Sequence, residues 1–132
     1  MCLKGKRDVL LCTVILDSMN NEQLRDFCLH LPAVTEDVKW DNDLCFCVGG
    51  KMFCISSLEP PYKVTFKVPA EAFEEMCNQP GTAPAPYLAR AQWVMISSSS
   101  QFSKKEWEAH LTTSYNLIKA KLTKKQRVEL GI

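Results

Sequence analysis

The chain is 132 residues long, with 46% hydrophobic and 23% charged side chains and a formal net charge of +1. That length allows one domain around a single core. The near-neutral balance does not by itself announce a nucleic-acid partner, and the N-terminal apolar run is too short to cross a bilayer.

Lys4, Lys6 and Arg7 precede Val9-Leu10-Leu11-Cys12-Thr13-Val14-Ile15-Leu16. This resembles a signal peptide only superficially. The run is interrupted by Thr13, ends in Asp17 and lacks a small-x-small cleavage site. Residues 1–18 read as an extension outside the main domain, with Met19 as a natural start, and residues 19–132 as one domain. Asn20 can cap a helix whose apolar positions Leu24, Phe27, Cys28 and Leu31 follow helical spacing, and Pro32 stops it. Thr35 to Asn42 is acidic and turn-like, with Val38-Lys39-Trp40 as a short strand.

Two β-rich runs flank Gly49-Gly50, which predicts strands over 44–48 and 51–57 joined by a two-residue hairpin turn. The expected register sets Val48 opposite Lys51, Cys47 opposite Met52, Phe46 opposite Phe53 and Cys45 opposite Cys54. The last pair would sit close enough for a disulfide under oxidation. Residues 62–68 alternate strictly. Val64, Phe66 and Val68 should face the core, and Lys63, Thr65 and Lys67 a solvated sheet face. Pro69 opens a second helix carrying Phe73, Met76 and Cys77. Residues 79–86 form an irregular loop. Trp93 to Ser97 is a fifth strand. Ser103-x-x-Glu106 and Thr123-x-x-Gln126 are capping boxes, the first opening a helix with the stripe Trp107, Leu111, Tyr115, Ile118 and Leu122. The fold class is α+β: a five-stranded antiparallel sheet with helices packed on one face.

Charge is unevenly placed. Residues 19–60 hold three basic and seven acidic side chains, and residues 61–132 ten basic and six acidic. Five of the nine residues from Lys119 to Arg127 are basic. They read either as a solvated helix end or as a patch for an anionic partner. The seven cysteines lack a secreted framework's spacing and sit mostly in apolar runs, which fits free thiols in a reducing cytoplasm. No C-x₂-C pair, nucleophile elbow, phosphate-binding glycine loop or H-E-x-x-H motif occurs. His30 and His110 read as structural, and Glu36, Asp37, Asp41 and Asp43 as a solvated loop. No catalytic residue, cofactor or metal is expected.

Leu24-Arg25-x-Phe27-Cys28, Leu31-Pro32, Val34-Thr35-Glu36, Phe46-x-Val48-Gly49-Gly50-Lys51-Met52-Phe53, Val64-x-Phe66-Lys67, Pro86-Tyr87-Leu88-Ala89-Arg90, Trp93-Val94 and Ser114-Tyr115-x-Leu117-Ile118-x-Ala120-Lys121-Leu122 follow one another in the chain. In these motifs, from Asn20 to about Arg127, the sequence resembles the MmcQ/YjbR family of small bacterial proteins. The resemblance implies a frataxin-like (CyaY-like) α+β monomer and a role in binding DNA through a "double wing". Relatives often carry a polar or basic residue where Cys47 stands, and a basic residue and a histidine where Ala91 and Gln92 stand, so this chain offers less charge there.

The function expected from the resemblance is non-enzymatic DNA binding, with Lys51, Lys63, Lys67 and Arg90 on phosphates. The alternative is a protein-interaction module using an open sheet face of Cys45, Cys47, Met52 and Cys54. Iron handling ranks below both, because the first helix has no acidic ridge. A small-molecule enzyme ranks last.

Overall fold

Asn20 accepts a bond from the Gln23 backbone N–H, and the Gln23 side chain accepts one from the Asn20 N–H. This reciprocal cap opens α1 (Asn21–His30), which buries Leu24 and Cys28. The computed structural model describes residues 19–40, 42–59, 62–97 and 101–132. The expected extension at 1–18 lies outside the described residues. After α1 come β1 (Val34–Lys39), β2 (Asp43–Val48), β3 (Lys51–Ser57), β4 (Val64–Lys67), α2 (Ala70–Cys77) and β5 (Thr82–Pro84). A 3₁₀ turn (Ala89–Ala91), β6 (Trp93–Ile96), α3 (Lys104–Lys119) and α4 (Lys124–Leu130) complete the chain.

The strands form one antiparallel sheet in the order β1-β2-β3-β4-β6-β5. Among the described residues it has six strands rather than five. The extra one, β5, falls inside the loop expected at 79–86 and pairs Thr82 to Pro84 with Ile96 to Val94. It is an edge strand, one of the few places in a sheet where proline is tolerated. β1 is also longer than the expected 38–40. It is the opposite edge, exposed from Thr35 to Val38, so its strand pairing produces no hydrophobic alternation to read.

The Gly-Gly turn forms as expected, with φ of 60° at Gly49 and 81° at Gly50. The register beyond it does not hold. Val48 faces Lys51 and Cys47 faces Met52, but Phe46 faces Cys54 and Cys45 faces Ile55. Phe53 is the extra residue of a β-bulge. The bulge turns two successive side chains towards the helices: Phe53 meets Tyr115 of α3 edge-on at 5.4 Å, and Cys54 lies against Cys28 of α1. Cys45 and Cys54 are therefore not opposite one another, and the expected disulfide partner of Cys54 is corrected. Burial holds both thiols protonated, pushing Cys45 up to about 11.

The α3 stripe is buried as its spacing demands: Trp107, Leu111, Tyr115, Ile118 and, just beyond the helix, Leu122. Both α3 and α4 open with the expected capping boxes. Ser114, wholly buried on α3, bridges the sheet. Its hydroxyl donates to the Phe53 carbonyl at 2.5 Å and accepts the Lys67 N–H at 3.0 Å. The bulge displaces the carbonyl that β4 would otherwise use, and α3 supplies the substitute. His110 packs between Phe66 and Phe102, and burial lowers its pKa.

Candidate nucleic-acid interface

Strand direction decides which loops meet. β2 ends and β3 begins at Gly49-Gly50. β4 ends beside the start of β6, because Lys67 faces Trp93. The connection from β5 to β6, residues 85–92, therefore closes the same end of the sheet as the hairpin tip. The exit of α3 arrives there too: Leu122 packs so tightly on Gly49 that a Cβ on that glycine would lie 2.6 Å from Leu122 Cδ2.

The cations follow from this convergence. Lys51 is exposed at the hairpin tip and Arg90 is exposed in the 3₁₀ turn. Lys119 and Lys121 leave α3, and Lys124 and Lys125 begin α4. Lys67 is not on a solvated face as expected but 8% exposed. The 85–92 loop folds back along β4 and offers the Ala91 carbonyl to the Lys67 ammonium, while Val68 N–H donates to the Gln92 carbonyl at 2.9 Å. Burial, and then the charge of nearby Lys121, lower the Lys67 pKa. Lys67 is thus held against the loop rather than presented to solvent.

Lys63 is elsewhere. It precedes β4, where its backbone exchanges hydrogen bonds with Ser57. At about 3.3 Å per residue, four residues of strand set it about 13 Å from Lys67. The structure therefore brings Lys51, Lys67 and Arg90 to one end and leaves Lys63 at the other. That other end is apolar and net acidic: Val38, Trp40, Leu58 and Tyr62 are exposed there, with Asp37, Asp43 and Glu59 against Lys39 and Lys63.

Sequence reasoning passed over Tyr87. It is fully exposed, with φ of 67°. The Leu88 N–H donates to the Ala85 carbonyl at 3.1 Å, so Ala85-Pro86-Tyr87-Leu88 is a β-turn, with Pro86 second and a left-handed residue third, the signature of type II. Glycine or asparagine ordinarily takes that third position. The Pro86-Tyr87 step was the available signal, but tyrosine argues against the very conformation that it adopts.

The alternative surface is also corrected. Cys45 and Cys47 are buried, Met52 is half-buried, and the bulge sends Cys54 to the helix side. No open face carries these four side chains together. Among the described residues no three His, Cys, Asp or Glu side chains converge as a metal site, and no helix is long and apolar enough to cross a membrane.

A family model described as YjbR matches residues 29–117. No curated protein matches the chain. Among solved structures, Deinococcus radiodurans protein DR2400, with a DUF419 domain, aligns at a TM-score of 0.77 and 27% identity, over 89% of this chain and 90% of its own. A protein from Pseudomonas syringae aligns at a TM-score of 0.64 and 17% identity, over 76% of this chain and 99% of its own, a likeness of fold alone.

Proposed function

The chain belongs to the YjbR family, its model matching about two thirds of the sequence, and from that premise we propose that the basic end of the sheet binds the phosphate backbone of DNA without catalysis. One observation carries this reading. Four separate pieces of chain, the β2–β3 hairpin, the 85–92 loop, the exit of α3 and the start of α4, deliver Lys51, Arg90, Lys119, Lys121, Lys124 and Lys125 to one end of the sheet. A solvated helix end would account for the last four alone. It does not account for Lys51 and Arg90 meeting them. Phosphate contacts of this kind give affinity and little sequence preference.

The test is binding of a labelled duplex by fluorescence anisotropy across a salt series. Lys51→Glu with Arg90→Glu should weaken binding to every sequence alike and flatten the salt dependence by roughly one unit of slope per lost phosphate contact. Lys63→Glu, at the far end, should change neither. If the unmodified protein shows no salt-dependent affinity at low ionic strength, nucleic-acid binding is the wrong function. A protein partner is then the second reading, favoured by the exposed Val38, Trp40, Leu58 and Tyr62 at the opposite end.

A further inference from the structure

We infer that Tyr87 is a stacking platform for an unpaired base, so that the basic end takes single-stranded nucleic acid in preference to duplex. The inference rests on the nucleic-acid reading above and narrows it to a class of ligand.

The first ground is exposure without packing. Tyr87 is 104% exposed, so its ring buries nothing against the rest of the protein. A tyrosine ring ordinarily contributes by burial, and this one contributes nothing to the folded chain. The second is conformation. Its φ of 67° stands in the third position of a type II turn, where a side chain is strained and glycine is not. Folding alone would favour glycine here.

The third ground is rigidity. Ala85 is buried, and its N–H donates to the Trp93 carbonyl at 3.0 Å. The Trp93 N–H returns to the Leu88 carbonyl at 3.3 Å, and the Gln92 N–H reaches the Ala89 carbonyl at 2.9 Å. Gln92, itself left-handed at φ 62°, gives its carbonyl to Val68. The turn is tied to both β4 and β6. A ring held this way loses little backbone freedom when a ligand stacks on it.

The fourth ground is company. Arg90 follows three residues later in the same loop, and Lys51 stands at the same end of the sheet, on the β2–β3 hairpin across β4. An aromatic face flanked by cations that track a backbone is the arrangement that holds single strands, because every base has a π-face and every nucleotide a phosphate. In an intact duplex the base faces are already stacked on one another, and a ring on a convex turn reaches only their edges.

The experiment measures binding of the full chain to a dT oligomer, an rU oligomer and a duplex of equal length, at one low salt concentration. Single strands should bind more tightly than duplex. Tyr87→Ala should weaken the single strands by about 5- to 150-fold, with the duplex affinity and the salt slope unchanged. Tyr87→Phe and Tyr87→Trp should keep the affinity. Tyr87→Gly should lose it while melting no earlier than the unmodified protein, an outcome that a structural role for the ring would not allow. Tighter binding of dT or of rU assigns the sugar, and either result supports stacking. Equal affinity for duplex and single strands, with Tyr87→Ala neutral, overturns the inference and leaves the phosphate-binding reading standing. No salt-dependent binding to any of the three overturns both.

Discussion

Trp40 and Tyr87 are both aromatic, both exposed and both left-handed, and they stand at opposite ends of the same sheet. Trp40 follows β1, at φ 53°, and its carbonyl accepts the Asn42 N–H at 2.8 Å. Its neighbours are the exposed Leu58, whose N–H donates to the Asn42 carbonyl, and the carboxylates of Asp43 and Glu59. Tyr87 stands with Arg90 and the lysines. The backbone anomaly is shared and the electrostatics are reversed. A strained exposed ring marks a place where something other than folding set the residue, but the surrounding charge decides what can approach it. On the nucleic-acid reading proposed above, an anion should favour the Tyr87 end over the Trp40 end.

The basic end depends on a repaired gap in the sheet, and the largest effect should come from breaking the repair. β3 and β4 pair from Ser56 and Val64 to Cys54 and Phe66, and beyond that the Ser114 hydroxyl replaces the ladder. Ser114→Ala leaves a buried carbonyl and a buried N–H without a partner. At about 1–3 kcal/mol for each such group, a loss of about 2–6 kcal/mol is expected in urea unfolding. Ser114→Cys, nearly the same shape with a weaker donor, should fall between. The acidic end has no such dependence, because Ser57 N–H and the Lys63 carbonyl still meet there at 3.0 Å.

The hairpin tip gives the next effect. Gly49 and Gly50 are both left-handed, so alanine at either costs about 1–2 kcal/mol. Only at Gly49 does the new methyl strike Leu122, while nothing lies within 4 Å at Gly50. Gly49→Ala should therefore destabilise more than Gly50→Ala in thermal melts, about 2–3 kcal/mol against about 1 kcal/mol. It should also weaken nucleic-acid binding, since it pushes Lys51 away from the α3 exit. Equal effects of the two substitutions would separate the hairpin from the basic end.

The elements that were legible in the sequence are those whose cause is local. The Gly-Gly turn, the capping boxes at Ser103 and Thr123 and the Trp107-to-Ile118 stripe each need only a few neighbouring residues to specify them. What was hidden depends on distant chain. The register slip at Phe53 is fixed by Tyr115 and Ser114, some sixty residues away. Lys67 reads as a solvated residue by strict alternation, and only the return of the 85–92 loop covers it. β5 is short, edge-placed and proline-terminated, so it pairs without a strand-like pattern. For the candidate site, Lys51 and Arg90 were visible as exposed cations, but their meeting with the 119–125 lysines required the topology. Tyr87 was hidden because its conformation contradicts its residue type.

Trp40→Gly sharpens the comparison between the ends. Glycine removes the left-handed strain but adds backbone freedom to the unfolded chain, so stability should move by less than about 1 kcal/mol. Nucleic-acid affinity should not move at all, in contrast to Tyr87→Gly. If Trp40→Gly lowers the affinity as much as Tyr87→Gly does, the two ends do not have separate partners, and charge is not what distinguishes them.

The smallest effect concerns the acidic flank. Glu36 of β1 takes two bonds from Arg25 of α1, Nε to Oε1 at 2.8 Å and Nη2 to Oε2 at 2.7 Å. The hydrogen bond, more than the charge, holds the Glu36 carboxyl below its ordinary range. A carboxyl whose pKa is depressed on folding adds stability above its unfolded value, and that contribution is lost as the pH falls through the folded value. The pair should therefore help at neutral pH and vanish under acid. Both side chains are well exposed, at 48% and 30%, so water and salt screen most of the gain. An NMR titration of the Glu36 carboxyl should show the lowered pKa, and Arg25→Gln should return it towards normal with little change in melting temperature. A shift that persists in Arg25→Gln would mean that the sheet, rather than this one partner, sets the field on the acidic flank.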